Sequence, residues 1–149
     1  MLLDIKTVPD PLLRQKCAPV TVFDHNLSAT IADMFETMDS RHGVGLAAPQ
    51  VGLLQQILVV SYEDRRFALI NPTFVTHKGK LYDEEGCLSI PGVRLQVPRF
   101  DRIVITAQTP KGKPIRLQER GFVSRIIQHE MDHLIGKLIT DYLDIPSIS

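Results

Sequence analysis

His129-Glu130-Met131-Asp132-His133 places two imidazoles four residues apart, with a carboxylate beside the first. On an α-helix four residues amount to about 400° of rotation and about 6 Å of rise, so both rings leave one face and can share one metal ion. Glu130 then stands where it can take a proton from a water on that ion. Hydrolytic metal sites usually take three protein ligands and keep one position open, so a third donor is required. After His133 the chain has no further His and no Glu, and the search moves upstream to His25, His42, His77, Cys87, Glu84 and Glu85. Cys87 is the strongest of these, because Glu84-Glu85-Gly86-Cys87-Leu88-Ser89 reads as a loop whose Gly86 permits close backbone approach. Cys17 reads as a small buried apolar residue.

Gly43-Val44-Gly45-Leu46-Ala47-Ala48-Pro49-Gln50 is a second unusual segment. It fits a G-x-G-x-x-A dinucleotide pattern formally, but it follows a helix and meets Pro49 before another helix could propagate. It reads instead as a tight run of small residues that brings backbone up to a ligand, with Gln50 presenting an amide.

The elements that must position these residues follow from periodicity. Leu27, Ile31, Met34, Phe35 and Met38 form one apolar stripe of a helix, with Asp24 or Asn26 as its N-cap and Gly43 beyond its end. Residues 56–60, 67–70, 93–97, 103–105 and 115–118 read as strands, Asn71-Pro72 as punctuation and residues 63–66 as a polar hairpin turn. A second helix spans about Phe122 to Ile135 and stops at Gly136, with Phe122, Ile126, His129 and His133 facing inward. Histidines on an otherwise apolar stripe need partners, since buried polar groups without them are costly. The expected architecture is α+β: antiparallel strands packed around a central helix that carries the H-E-x-x-H motif.

Composition sets the boundaries. The 149 residues fit one domain, 1–149, and 17 basic against 17 acidic residues give no net charge, which argues against nucleic acid held by bulk charge. No apolar run is long enough for a signal peptide or a membrane span, so the expected compartment is cytoplasmic, where thiols stay reduced. His25 and His77, beside turns, read as solvated, and Asp132 as facing away from the two histidines to orient a neighbour.

Taken in order, the segments ending in Gln50, Glu85-Gly86-Cys87-Leu88-Ser89 and Gln128-His129-Glu130-Met131-Asp132-His133 resemble the three signature motifs of peptide deformylases. Pro9-Asp10-Pro11-Leu12-Leu13-Arg14, Ser89-Ile90-Pro91-Gly92 and His133-Leu134-Ile135-Gly136-Lys137-Leu138 extend the similarity over nearly the whole chain. The resemblance implies removal of the formyl group from the N-terminal formylmethionine of nascent polypeptides, releasing formate. It implies Cys87, His129 and His133 as metal ligands with water as the fourth, and Glu130 as general acid/base. Gln50 through its side-chain amide and Leu88 through its backbone N–H would bind the formyl oxygen. Val44, Gly45 and Gly86 would pair with the substrate backbone, and a pocket near Arg125, Ile126 and His129 would take the methionine side chain.

One thiolate and two imidazoles suit iron, nickel, cobalt or zinc alike. The resemblance implies Fe2+ as the native ion, with Ni2+ or Co2+ as active substitutes and Zn2+ usually poorer. Many members continue into a C-terminal helix that helps dock on the ribosome. Here only residues 137–149 follow Gly136, so the expectation is a catalytic domain without that helix, and transient ribosome contact by other means; an organellar or viral source and a shortened chain are both compatible with this ending. Two rival readings are a metallopeptidase, which would take a third His or acidic ligand, and a protein that binds formylated peptides without turnover.

Overall fold

A computed structural model describes residues 1–143 of the chain. Its main elements are α1 (His25–Ser40), β1 (Gly45–Ala47), β2 (Ile57–Tyr62), β3 (Arg65–Lys78), β4 (Leu81–Cys87), β5 (Ile90–Arg99), β6 (Arg102–Gln108), β7 (Pro114–Arg120) and α2 (Gly121–Leu134), with 3-10 turns at Pro11–Arg14, Ala48–Val51 and Ile139–Tyr142. Five strands form one antiparallel sheet in the order β1-β2-β3-β6-β7, and β4 and β5 form a separate hairpin. This is the α+β architecture expected from periodicity. The C-terminal ending on which the absence of a further helix was argued includes residues 144–149, which lie outside the described residues.

α1 starts where Asp24 accepts a hydrogen bond from Leu27 N at 3.1 Å, satisfying one of the amides a helix start leaves open. Its stripe of Leu27, Ile31, Met34 and Met38 packs with Leu46, Ile57, Val59 and Ile70. Each such side chain, once buried, contributes about 1.5–3 kcal/mol. α2 covers the neighbouring part of the sheet through Ile126, Ile127 and Leu134 against Leu58, Val60, Leu69 and Ile105. A third cluster, Leu13, Ile90, Val97, Leu138 and Ile139, joins the β4–β5 hairpin to the first and last 3-10 turns.

Three local readings are corrected. The strand expected to stop at Ile70 continues to Lys78, with irregular register between Ile70 and Thr73 and between Phe74 and Thr76. Asn71 takes a left-handed conformation there, φ 54°, and its amide donates to Val20 O and Gln108 Oε1 while its oxygen accepts from Val20 N. A bulge of this kind accommodates a proline, which has no ladder hydrogen to give. The Glu84–Cys87 stretch, expected as loop, is the end of strand β4, and only Leu88 and Ser89 turn the chain into β5. Phe122, expected to face inward, is 44% exposed and sets its ring against Tyr62, centroids 4.6 Å apart.

Candidate active site and metal centre

β7 runs directly into α2 because Arg120 is still extended while Gly121, at φ 63°, supplies the left-handed turn that an L side chain resists. Two polar residues then dock the helix. Gln128 accepts from Phe100 N at 2.9 Å and donates to Phe100 O at 2.8 Å, and Ser124 Oγ donates to the same carbonyl at 2.9 Å. With these clamps set, Ile126, His129, Glu130 and His133 are all buried.

The end of β4 brings Cys87 to this face. One donor atom each from Cys87, His129 and His133 lies within 4.8 Å of the others, and Cys87 Sγ is 3.3 Å from His133 Nε2. Two donors on a tetrahedral ion with ordinary metal–sulfur and metal–nitrogen bonds lie about 3.5 Å apart, so the spacing fits one transition ion. His25, His42, His77, Glu84 and Glu85 are not members of this cluster. His77 is exposed, as the sequence suggested, and stacks one face on Phe100 with ring centroids 3.7 Å apart.

Glu85 lies behind the ligands and is missed as such by sequence reasoning, which offers it only as a ligand. Its Oε1 is 2.9 Å from His129 Nδ1. Burial works against the Glu85 carboxylate, but hydrogen bonds from Arg99 and His129 outweigh it and hold its pKa down at about 2. An ionised carboxylate can only accept, so His129 Nδ1 carries a proton toward Glu85 and Nε2 is the nitrogen at which an ion could take the place of a second proton. Burial also disfavours charge on His129, yet Glu130, Cys87 and Glu85 push that ring up to about 10. The surroundings therefore favour a cation at this imidazole. His133 is the reverse: burial and the neighbouring His129 hold it well below the ordinary histidine range, which leaves a neutral ring with a lone pair to give.

Glu130 is the other buried acid. Burial chiefly lifts its carboxyl to about 7, with His129 opposing and Glu85 adding to the rise. Its Oε2 is 4.0 Å from His129 Nε2, and its Oε1 has no hydrogen-bond partner among the described residues. Gln50 is 2% exposed, with Oε1 accepting from Ala47 N at 2.9 Å and Nε2 reaching Ser89 Oγ at 3.2 Å and Cys87 Sγ at 3.7 Å. The amide is thus oriented with its N–H groups toward the metal cluster.

A cavity of about 850 Å³ opens over these residues, bordered by Val44, Gly45, Gln50, Gly86, Leu88 and Glu130 among others. β1 is the edge of the five-stranded sheet and β4 is one side of a two-stranded hairpin, so among the described residues each leaves a side free of ladder partners. Gly45 must be glycine here, since a Cβ would stand 2.6 Å from Glu130 Oε2 and 2.8 Å from Ile126 Cγ2. Arg125 and Ile126 border the same cavity. The Arg125 guanidinium is already engaged, however, donating to Glu85 Oε2 and to the carbonyls of Val97 and Leu81.

The family model of polypeptide deformylase matches residues 2–147. The chain belongs to the polypeptide deformylase family. It is 44% identical over 141 residues to a peptide deformylase of Dictyoglomus turgidum, covering 95% of this chain and 92% of that protein. Among solved structures, a peptide deformylase of Thermotoga maritima superposes with a TM-score of 0.93 at 41% identity, covering 95% of this chain and 97% of that one. One from Ehrlichia chaffeensis in complex with actinonin gives 0.94 at 34% identity, covering 97% and 90%. The deformylase is thus a hydrolase of N-terminal processing in protein synthesis, from a metal-dependent family acting on formylmethionyl peptides. Among the described residues no helix is long and apolar enough to cross a membrane.

Proposed function

We propose that this deformylase removes the N-formyl group from the formylmethionine of nascent polypeptides, with Cys87, His129 and His133 holding the metal and Glu130 as general acid/base. The observation that carries the reading is Cys87 Sγ 3.3 Å from His133 Nε2 on the H-E-x-x-H face, beside the Gln50 amide. Cys87, His129 and His133 would hold a divalent ion, which would supply acidity to a water near neutral pH. Fe2+ is the native ion in this reading, with Ni2+, Co2+ or Zn2+ as substitutes, and the mixed thiolate–imidazole set suits each.

The substrate backbone lies along Val44 and the free side of β1 at Gly45 and reaches Gly86 of β4, adding a strand between two edges. The methionine side chain enters beside Ile126, Arg125 and His129. The formyl oxygen accepts from the Gln50 amide and the Leu88 backbone N–H, donors held in place before the charge develops. Glu130 takes the proton of the attacking water and returns it to the leaving nitrogen, a task suited to a carboxyl near 7. A new C–O bond forms, the formyl C–N bond breaks, and formate and a free α-amine leave. The chain works as one catalytic domain, in the cytoplasm, where its two free cysteines stay reduced.

The test is formate release from a formylmethionyl peptide by protein loaded anaerobically with Fe2+ or Ni2+, beside Glu130→Gln with equal metal content. The expected loss in the variant is about 10²–10⁴-fold. Equal release by the two proteins would overturn the role of Glu130, and no release from fully loaded protein would overturn the activity.

A further inference from the structure

The two histidines are supported unequally. His133 Nδ1 is buried with no hydrogen-bond partner among the described residues, whereas His129 Nδ1 rests on Glu85 Oε1 at 2.9 Å. Glu85 in turn is gripped on both oxygens by Arg99, whose Nε and Nη2 donate to Oε2 and Oε1 at 2.9 and 2.8 Å. Arg99 is 5% exposed, and its remaining nitrogen, Nη1, sits where α2 meets the last 3-10 turn. There it donates to Asp132 Oδ2 at 2.6 Å and to Tyr142 Oη at 3.1 Å, while Tyr142 Oη donates to the same Asp132 oxygen at 2.7 Å. The Tyr142 ring also lies between two cations, with Arg99 Cζ 5.0 Å and Lys137 Nζ 4.3 Å from its centroid.

We propose that Tyr142 is a positioning residue for His129, acting through Arg99 and Glu85. The argument turns on a competition at Glu85. Arg125 also donates to Glu85 Oε2, so Glu85 stands between two guanidinium groups and its tilt depends on how firmly each is held. Arg125 is tied to the carbonyls of Val97 and Leu81. Arg99 has only the Asp132–Tyr142 pair behind it. Removing the Tyr142 hydroxyl leaves Arg99 with Asp132 alone, lets its fork rotate and lets Glu85 settle toward Arg125. The acceptor under His129 Nδ1 then shifts, and the ring loses the orientation that aims Nε2 at the metal. Arg14 holds the turn independently by donating to Gly136 O at 3.3 Å and Asp141 Oδ2 at 2.6 Å, so the hydroxyl is not what keeps the turn in place.

This inference rests on Cys87, His129 and His133 being the metal ligands. The experiment loads native protein and Tyr142→Phe with Co2+ and follows the cobalt absorption bands and the rate of cobalt transfer to excess chelator, with melting of the metal-free proteins alongside. Direct outer partners of a metal-bound His are worth about 10–100-fold in metal affinity, so a partner two bonds further out should speed release by about 3–10-fold. The cobalt bands should shift, kcat should fall with KM unchanged, and the metal-free proteins should melt together. Asp132→Asn, which keeps the volume but weakens the acceptor for Arg99, should move the same observables and serves if Tyr142→Phe does not fold. Bands and release rates equal to native would overturn the inference and leave the metal reading intact. Native protein that takes up no cobalt would overturn the metal reading, and this one with it.

Discussion

The two walls of the metal centre are built on opposite principles. The substrate-side wall, from β1, Gln50 and Glu130, keeps polar capacity open: Glu130 Oε1 has no partner among the described residues, and β1 leaves one backbone edge free. On the rear wall, Glu85 is bonded on both oxygens, and Arg99 binds Glu85, Asp132 and Tyr142 together. The difference teaches where each wall acts. A group that must exchange partners during a reaction is left unsatisfied and poised, while a group that aims a ligand is saturated so that it cannot turn.

The largest expected effect breaks the rear wall. Arg99→Leu leaves the Glu85 carboxylate buried with one guanidinium fewer and removes the tie to Asp132. Breaking one partner of a buried pair costs about 3–5 kcal/mol, so urea unfolding of the metal-free variant should show a loss of that order. An unchanged midpoint would mean that the rear wall contributes little to stability. The next effect acts on the substrate-side wall and should separate from the first. Gln50→Ala removes an oriented donor, and kcat for formate release should drop about 10²–10³-fold. Its unfolding loss should stay at the 1–3 kcal/mol expected for stranding Ala47 N, roughly, and a larger loss would make Gln50 a structural residue first.

The smallest effect sharpens the contrast between open and closed surroundings. Cys87 borders the cavity, whereas Cys17 is buried and burial pushes its thiol up to about 11. At pH 8 about one Cys17 in a thousand is then thiolate, the form that alkylates. Iodoacetamide on native metal-free protein should therefore label Cys87 first and Cys17 only on unfolding, as read by mass spectrometry of peptides. Bound metal should protect Cys87. Equal labelling of both thiols would show that the substrate-side wall is no more open than the core.

Legibility in the sequence followed the range of the interaction. The stripe of α1, the inward face of α2 at Ile126, His129 and His133, and the alternation of β7 were all readable, because each repeats within one element. Phe122 broke the α2 pattern because it stands in the first turn of the helix, where the stripe meets the partly buried ring of Tyr62 at the rim of the core. The β3 extension was obscured because Asn71 and Pro72, ordinary strand breakers, were absorbed by a bulge and by side-chain bonds to Val20 and Gln108. Arg99 carried no local signal, and Glu85 was legible only as a candidate ligand, not as the support of His129. They stand on two strands of one hairpin, and only that hairpin's packing against α2 gives them His129 and Asp132 as neighbours.

By itself the sequence determined that two imidazoles and a carboxylate share one helical face, since the rotation per residue of an α-helix is set by covalent geometry and needs no distant contact. It also narrowed the third ligand to a short field with Cys87 in front. Tertiary structure alone decided that Cys87 meets His133 across 46 positions of chain while Glu85, two residues before it, lies behind His129. The physical reason is long-range packing: the β4–β5 register shifts between Gly86 and Cys87, and the way the end of that hairpin packs on α2 selects which of the two side chains meets His133 and which lies against His129.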